Sequence, residues 1–298
     1  MPDSIPSPTP WLVDPDLVHA MRRDHAEAAL KSGQLDRALV EAEELLSERP
    51  HDAHALWITA RAALSMGDAC TAERALDQLL ERSEDDRPVP APVLHAEMAF
   101  ARFLQAEFGA ARTSAATALA LDRTLPSAWV FLGLAEERLG RPDEATEAYE
   151  RAESIEAGSA PRRLPSPPLA TWVRMLETAK QHLPDDQAAV LSNLDVIWQD
   201  LPDPTVLKSV EPAISPFIEA LISGDDPLDE PLDPDIDPLD AALQQAVPSP
   251  SVLTVYTANL LRGQPSTADI VDRLAKALRA ELAAWLGIAA RELIPEVD

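Results

Sequence analysis

The sequence predicts a protein of two parts, an all-α solenoid of paired helices followed by a small α+β domain. Three observations point there. The first half repeats itself at an interval of 34 residues; a Pro- and Ser-rich break, AGSAPRRLPSPP at Ala157 to Pro168, ends the repetition; and the remaining chain alternates between helical and strand-like hydrophobic patterns. A chain of 298 residues is long enough for two domains of ordinary size.

Composition narrows the classes of function. With 51 acidic against 25 basic residues the formal net charge is −26, which repels phosphate backbones and anionic membrane surfaces, so nucleic acid and membrane are not expected as partners. The N-terminal stretch MPDSIPSPTPWLVDPDLV is Pro-rich and acidic. It lacks the basic start and apolar core of a signal peptide, and residues 1–18 are expected to form a flexible arm. No apolar run approaches the roughly 20 residues needed to span a bilayer. Cys70 is the one cysteine, has no partner for an internal disulfide, and fits a cytoplasmic protein.

The repeat is read from register. Gly33 and Gly67 are 34 residues apart, as are Ala38 and Ala72, and KSGQLDRALVEAEELL aligns throughout with LSMGDACTAERALDQLL. A third copy runs through HAEMAFARFLQAEFGAARTSAATALALD and a fourth through AWVFLGLAEERLGRPDEATEAYERAESIE. Ala111 and Ala145 are again 34 apart. The fourth copy carries Trp129, Leu132, Gly133, Gly140, Ala145, Tyr149 and Ala152, the mixture of small and large residues that lets two helices pack closely and stack on the next pair. By period and by these residues the chain resembles the tetratricopeptide repeat family from about residue 19 to 159. The expected copies are 19–52, 53–86, 92–125 and 126–159, with SEDDRPVPAP forming an elongated loop of about five additional residues between the second and third. Arg22 stands where the family has a large apolar residue, which suits a partly exposed terminal helix.

The resemblance implies a concave groove, lined by the first helix of each copy, that binds a peptide or protein partner. Carried over by register, the groove positions are Arg23, Lys31, Trp57, Arg61, Phe100, Phe103 and Arg138. Four basic residues in so acidic a chain point to an acidic partner, with the chain's own loop 225–240 as one candidate. A second reading of the same residues makes the aromatics inter-repeat core and pairs the arginines with neighbouring glutamates. The lysine and asparagine pattern of repeats that clamp chaperone C-termini is not present.

After a linker at 160–167, residues 168–298 read as the α+β domain. LATWVRMLETAKQHL has helical spacing, DQAAVLSNL reads as a short helix or turn, LDVIWQDLP as a strand stopped by Pro202, and PFIEALISG as a further helical piece. GDDPLDEPLDPDIDPLD is an acidic loop, and SVLTVYTANLLRG is a strand that runs into a helical turn. A long helix closes the pattern from about Thr267 to Gly287. Ile270, Leu274, Leu278, Leu282 and Trp285 form its apolar stripe at about 100° per residue. Ala277, Ala280, Ala284 and Gly287 make a small opposite face, together with Arg273 and Arg291.

This order of elements resembles the minimal zincin-like metallopeptidase family of bacteria, on the helix ending in LP, the Asp200-Leu201-Pro202 strand exit, the Ile218 to Gly224 segment, TVYTANLLR and a terminal helix ending in Leu-Gly-Ile. Family members carry His-Glu-x-x-His on that helix, since histidines four apart share one zinc and the glutamate acts as base on its water. Here the histidine positions are Ala280 and Ala284, the acidic position is Ala289 with Ala290 beside it, and only Glu281 remains. Zinc lowers the pKa of its water from about 15.7 to about 7, and Glu281 alone does no such thing. It is expected to be a solvated helix glutamate near Arg279 or Arg291, with no metal, no cofactor and no catalytic residue in this domain.

Asp225, Asp226, Asp229, Asp233, Asp235, Asp237 and Asp240 admit either Ca²⁺ or, as a Pro-rich extended chain, no cation at all. His182 reads as a surface residue. The sequence therefore points to a non-catalytic interaction protein, a repeat module joined to a zincin-like pseudo-peptidase domain. Its alternatives are a zinc-dependent peptidase with ligands gathered elsewhere and a second domain that only caps the solenoid.

Overall fold

The computed structural model describes residues 14–161, 165–224, 250–263 and 266–286. Its contacts divide the chain into two compact units, Met1–Ala160 and Pro161–Asp298. The acidic loop 225–240, Gly287, Ala289, Ala290 and Arg291 lie outside the described residues.

In the first unit the described residues form four helix hairpins: α1 (Pro15–Lys31) with α2 (Leu35–Glu48), α3 (Ala53–Met66) with α4 (Ala69–Leu80), α5 (Ala91–Leu104) with α6 (Phe108–Leu121), and α7 (Pro126–Arg138) with α8 (Pro142–Ile155). Helix α1 begins inside the stretch expected to be a flexible arm. The reason is local: the Asp14 carboxylate accepts from the Asp16 backbone N–H, and Pro15 has a φ already suited to the first helical position.

Each hairpin turns in the same way. Gly33, Gly67, Ala106 and Gly140 adopt positive φ, and the next residue donates its N–H to a carbonyl five back, Gln34 to Ala29, Asp68 to Ala63, Glu107 to Arg102 and Arg141 to Glu136. That bond satisfies carbonyls left open at the helix end and reverses the chain in two or three residues. The third hairpin does so with an alanine at φ 56, a conformation that costs an L-residue about 1–2 kcal/mol. Its turn is therefore held by its packing: Ala106 is buried beside Phe103 and Phe108, whose rings are 5.3 Å apart.

Close approach of helices is the work of alanine. Ala26, Ala29, Ala38 and Ala42 pack with Leu45, Ala55, Ile58 and Ala62 in one core, and Leu56, Ala60, Ala63, Leu76, Leu79 and Met98 belong to the next. Between the first two hairpins the buried His19 bridges Asp52 (2.7 Å) and Glu48 (3.4 Å). Asp52 also caps α3, accepting from the N–H groups of His54 and Ala55 at 2.9 Å. Burial alone raises the pKa of Asp52, but the Ala55 N–H, the His19 ring and the His54 N–H outweigh it and hold the carboxyl below its ordinary value. As expected, Arg22 is exposed, and it pairs with Glu48.

The second unit holds α9 (Leu169–Lys180), α10 (Asp185–Ser192), β1 (Asp195–Gln199), β2 (Ala220–Gly224), β3 (Pro250–Tyr256) and α11 (Thr267–Leu286), with single helical turns at Pro204–Leu207 and Thr257–Leu260. The sheet has the order β1-β3-β2, with β1 parallel and β2 antiparallel to β3. The segment PFIEALISG, expected to be helical, supplies β2. Ala220 and Ile222 face the core while Leu221 and Ser223 alternate outward, a period of two rather than 3.6. The residues that satisfy its backbone, Thr254 and its neighbours in β3, lie some thirty positions downstream and are invisible to a local pattern.

Helix α11 buries the apolar stripe read from the sequence, Ile270, Leu274, Leu278 and Leu282, in one core with Trp172 and Leu176 of α9 and with Ile222, Leu253 and Val255 of the sheet. On its other side Arg273 pairs with Glu219 and donates to the carbonyls of Asn259, Leu260 and Arg262 at 2.9–3.0 Å, tying α11 to the turn that follows β3.

Gly133 tests the close-packing argument. A Cβ there would lie 2.5 Å from Cε1 of the buried Tyr149, whose hydroxyl donates to Glu137 Oε2 at 3.0 Å and so anchors the ring. Gly133→Ala is expected to destabilise the first unit by about 1–3 kcal/mol, measured by chemical denaturation. No loss of stability would show that α7 and α8 can part by the width of a methyl group.

Candidate functional site

The site is assembled from two helices and one loop of the first unit. On α1 the residues Arg23, Glu27, Leu30 and Lys31 are spaced by four, three and one, so they share one face. On α3 the same geometry aligns His54, Trp57, Ile58, Arg61 and Ser65. Pro88 and Val89, from the elongated loop between the second and third hairpins, close the far side. Together they line an open groove of about 430 Å³ with an apolar floor and a basic rim.

Four of the seven residues assigned by register meet here, namely Arg23, Lys31, Trp57 and Arg61. The Arg61 guanidinium lies over the Trp57 indole, 5.7 Å from its centroid, and pairs with Glu97 of α5. Burial pushes the Glu97 carboxyl above its ordinary value, and Arg61 pulls in the opposite direction. Lys31 pairs with Glu27 at 2.7 Å. That hydrogen bond, opposed by burial and assisted by the charges of Lys31, His54 and Arg23, holds the Glu27 carboxyl below its ordinary range. Among the described residues Arg23 makes no ion pair.

The remaining three are elsewhere. Phe103 is 0% exposed and belongs to the core, so it is not a groove residue; the first helix of a repeat turns one side inward, and at this register that side carries the ring. Phe100 stacks on Phe131 of α7, with centroids 5.0 Å apart and planes at 14°. Arg138 is buried, its Cζ 5.9 Å from the Phe103 ring. In the third copy, then, the assigned aromatics lie in packing between repeats, whereas Trp57 of the second copy lines the groove with Arg23, Lys31 and Arg61. Register missed Glu27, Leu30, His54, Ile58, Ser65, Pro88 and Val89. The signal that would have found the last two is the loop insertion itself, since additional residues at a repeat boundary have to be laid against a neighbouring face.

In the second unit Glu281 is half-buried rather than a freely solvated helix glutamate. Its Oε2 accepts the backbone N–H of Ile222 at 3.0 Å, on β2 at the edge of the sheet, and burial raises its pKa against that bond. Arg279, its expected neighbour in charge, donates instead to the His182 carbonyl at 2.6 Å. Ala280 and Ala284 are exposed rather than packed. Among the described residues no three His, Cys, Asp or Glu side chains converge as a metal site would require, and no helix is long and apolar enough to cross a membrane.

A tetratricopeptide repeat family model matches residues 29–90, which span the turn after α1 through the loop that closes the groove. The N-terminal region therefore carries tetratricopeptide repeats. Among solved structures, one titled as a crystal structure of MamA protein is similar to this chain, at 22% identity and a TM-score of 0.41 over 48% of this chain and 75% of that one. MamA from Desulfovibrio magneticus RS-1 is 15% identical, with a TM-score of 0.42 over 46% of this chain and 75% of that one. No curated protein sequence matches the chain.

The Arg61 pair yields a pH-dependent prediction. Because Glu97 titrates above its unfolded value, ionising it costs stability as pH rises past about 4.5, and Arg61 offsets that cost. Arg61→Gln should destabilise the first unit by about 1 kcal/mol at neutral pH, a figure that allows for the solvent exposure of the guanidinium. The difference from wild type should shrink as pH falls below that value. Denaturation at both ends of the range checks it, and a pH-independent difference would assign the effect to the lost packing on Trp57.

Proposed function

We propose that the chain is a non-catalytic interaction protein whose repeats capture an extended segment of a protein partner in the groove between α1 and α3. The observation that carries this reading is the convergence of Trp57, Leu30, Ile58 and Val89 with three cations in one open cleft. Apolar side chains held on helices supply contact area at little cost in ordering, and charges at the rim set register and orientation. The match to a tetratricopeptide repeat model over these residues supports it, since such repeats stack into extended binding surfaces.

The test is a photo-crosslinking side chain introduced at Ser65, which lines the groove, and in parallel at the exposed Glu150 of α8. Discrete adducts from the first position and not the second, lost again in a Trp57→Ala background, are the expected result. Equal adducts from both positions, or adducts indifferent to Trp57, would sink the proposal.

For the second unit we read a zincin-like domain that has kept its helix and given its glutamate a structural task. What supports this is the sequence pattern, the alanines at 280 and 284, and the bond from the Ile222 N–H that occupies Glu281. Purified protein reloaded after chelation should then hold no stoichiometric zinc and cleave no peptide. Zinc at one per chain, with proteolysis that disappears in Glu281→Gln, refutes the reading in favour of a peptidase with unusual ligands.

A further inference from the structure

Within the groove the distribution of charge is lopsided, and the chemistry of an occupant follows from it. Arg23, Lys31 and Arg61 line it together with His54, and Glu27 is the single carboxylate among its lining residues. Arg61 is already paired with Glu97, which lies outside the groove lining on α5, and Lys31 with Glu27, whereas Arg23 has no ion pair among the described residues. This concentration of positive charge sits in a protein of net charge −26, where a cationic cluster is the exception.

The Glu27–Lys31 pair is built to be exchanged. Its side chains are 48% and 72% exposed, and an ion pair in such a setting contributes little to folding. Nothing in the fold depends on it: both residues sit on the same helix one turn apart, so the pair joins no two elements. By contrast, the bond between Arg61 and Glu97 links α3 to α5.

We infer that the groove selects segments in which carboxylates flank an apolar residue, and that Glu27 is an internal stand-in which the incoming carboxylate displaces from Lys31. The apolar residue rests on Trp57 and Val89, and the flanking carboxylates meet Arg23 and Lys31. The hydrogen bond from Lys31, with the charges of Lys31, His54 and Arg23, lowers the Glu27 carboxyl against the effect of burial, so a second carboxylate brought to the same place meets the same groups. This inference rests on the groove reading and names the chemistry of what the groove holds.

The test is fluorescence polarisation on the full chain with three labelled decapeptides of one apolar pattern, whose flanking residues are Asp and Glu, Asn and Gln, or Lys. The acidic peptide should bind roughly tenfold tighter than the amide peptide, with an advantage that falls as salt rises, and the Lys peptide weakest. Arg23→Gln should reduce that advantage severalfold. Glu27→Gln should tighten acidic peptide binding about threefold, because it removes the competitor and keeps the cations. Thermal unfolding of each variant checks that the fold is kept, which matters most for Trp57→Ala because Trp57 packs against the second core. If all three peptides bind alike, and Trp57→Ala weakens all three, the groove reading stands and the selectivity is wrong. If Glu27→Gln weakens the acidic peptide, Glu27 is a binding group and the stand-in role falls. If none binds at millimolar concentration, the selectivity and the groove reading fall together.

Discussion

Close contact between alanines is the constraint on which the first unit depends. A methyl group is the largest side chain that lets neighbouring helices approach as α1, α2 and α3 do around Ala26, Ala38, Ala42 and Ala55. Larger side chains such as Leu45, Ile58 and Phe103 fill the interior beside those alanines, and others are left at the margins. Trp57 and Phe100 are both half-buried there, at the edge of the second core. What each then does is decided by its neighbour. Phe100 meets Phe131 on α7 and is stacked, whereas Trp57 faces a charged α1 and a loop, and becomes a floor.

The groove is thus a consequence of irregularity in an otherwise regular array. If every repeat boundary were as short as those at residues 49–52 and 122–125, no Pro88 or Val89 would reach the face of α3. The additional residues between the second and third hairpins turn one side of a solenoid into a cleft with two walls. The cations then make that cleft chemically distinct from the acidic remainder.

In the second unit a single polar contact ties the side chain of Glu281 to the edge of the sheet. Glu281 of α11 accepts the backbone N–H of Ile222 on the edge strand β2. A carboxylate in that place is a structural acceptor. The burial that raises its pKa reflects its position between helix and sheet edge, and no reaction has to be invoked for it.

The sequence by itself determined the helix hairpins, because they are local: the glycines at three of the four turns and the methyl groups at helical spacing act within a few residues of one another, and the 34-residue period repeats them. It also determined the buried stripe of α11 and the strands β1 and β3, whose patterns have a clear period. Only the tertiary structure decided that Ala220 to Gly224 is a strand, since its hydrogen-bonding partners lie far along the chain. The same holds for Phe103, Trp57 and Glu281. Each occupies a register position that permits two environments, and the choice between core, groove and sheet edge is made by whichever distant element packs against it.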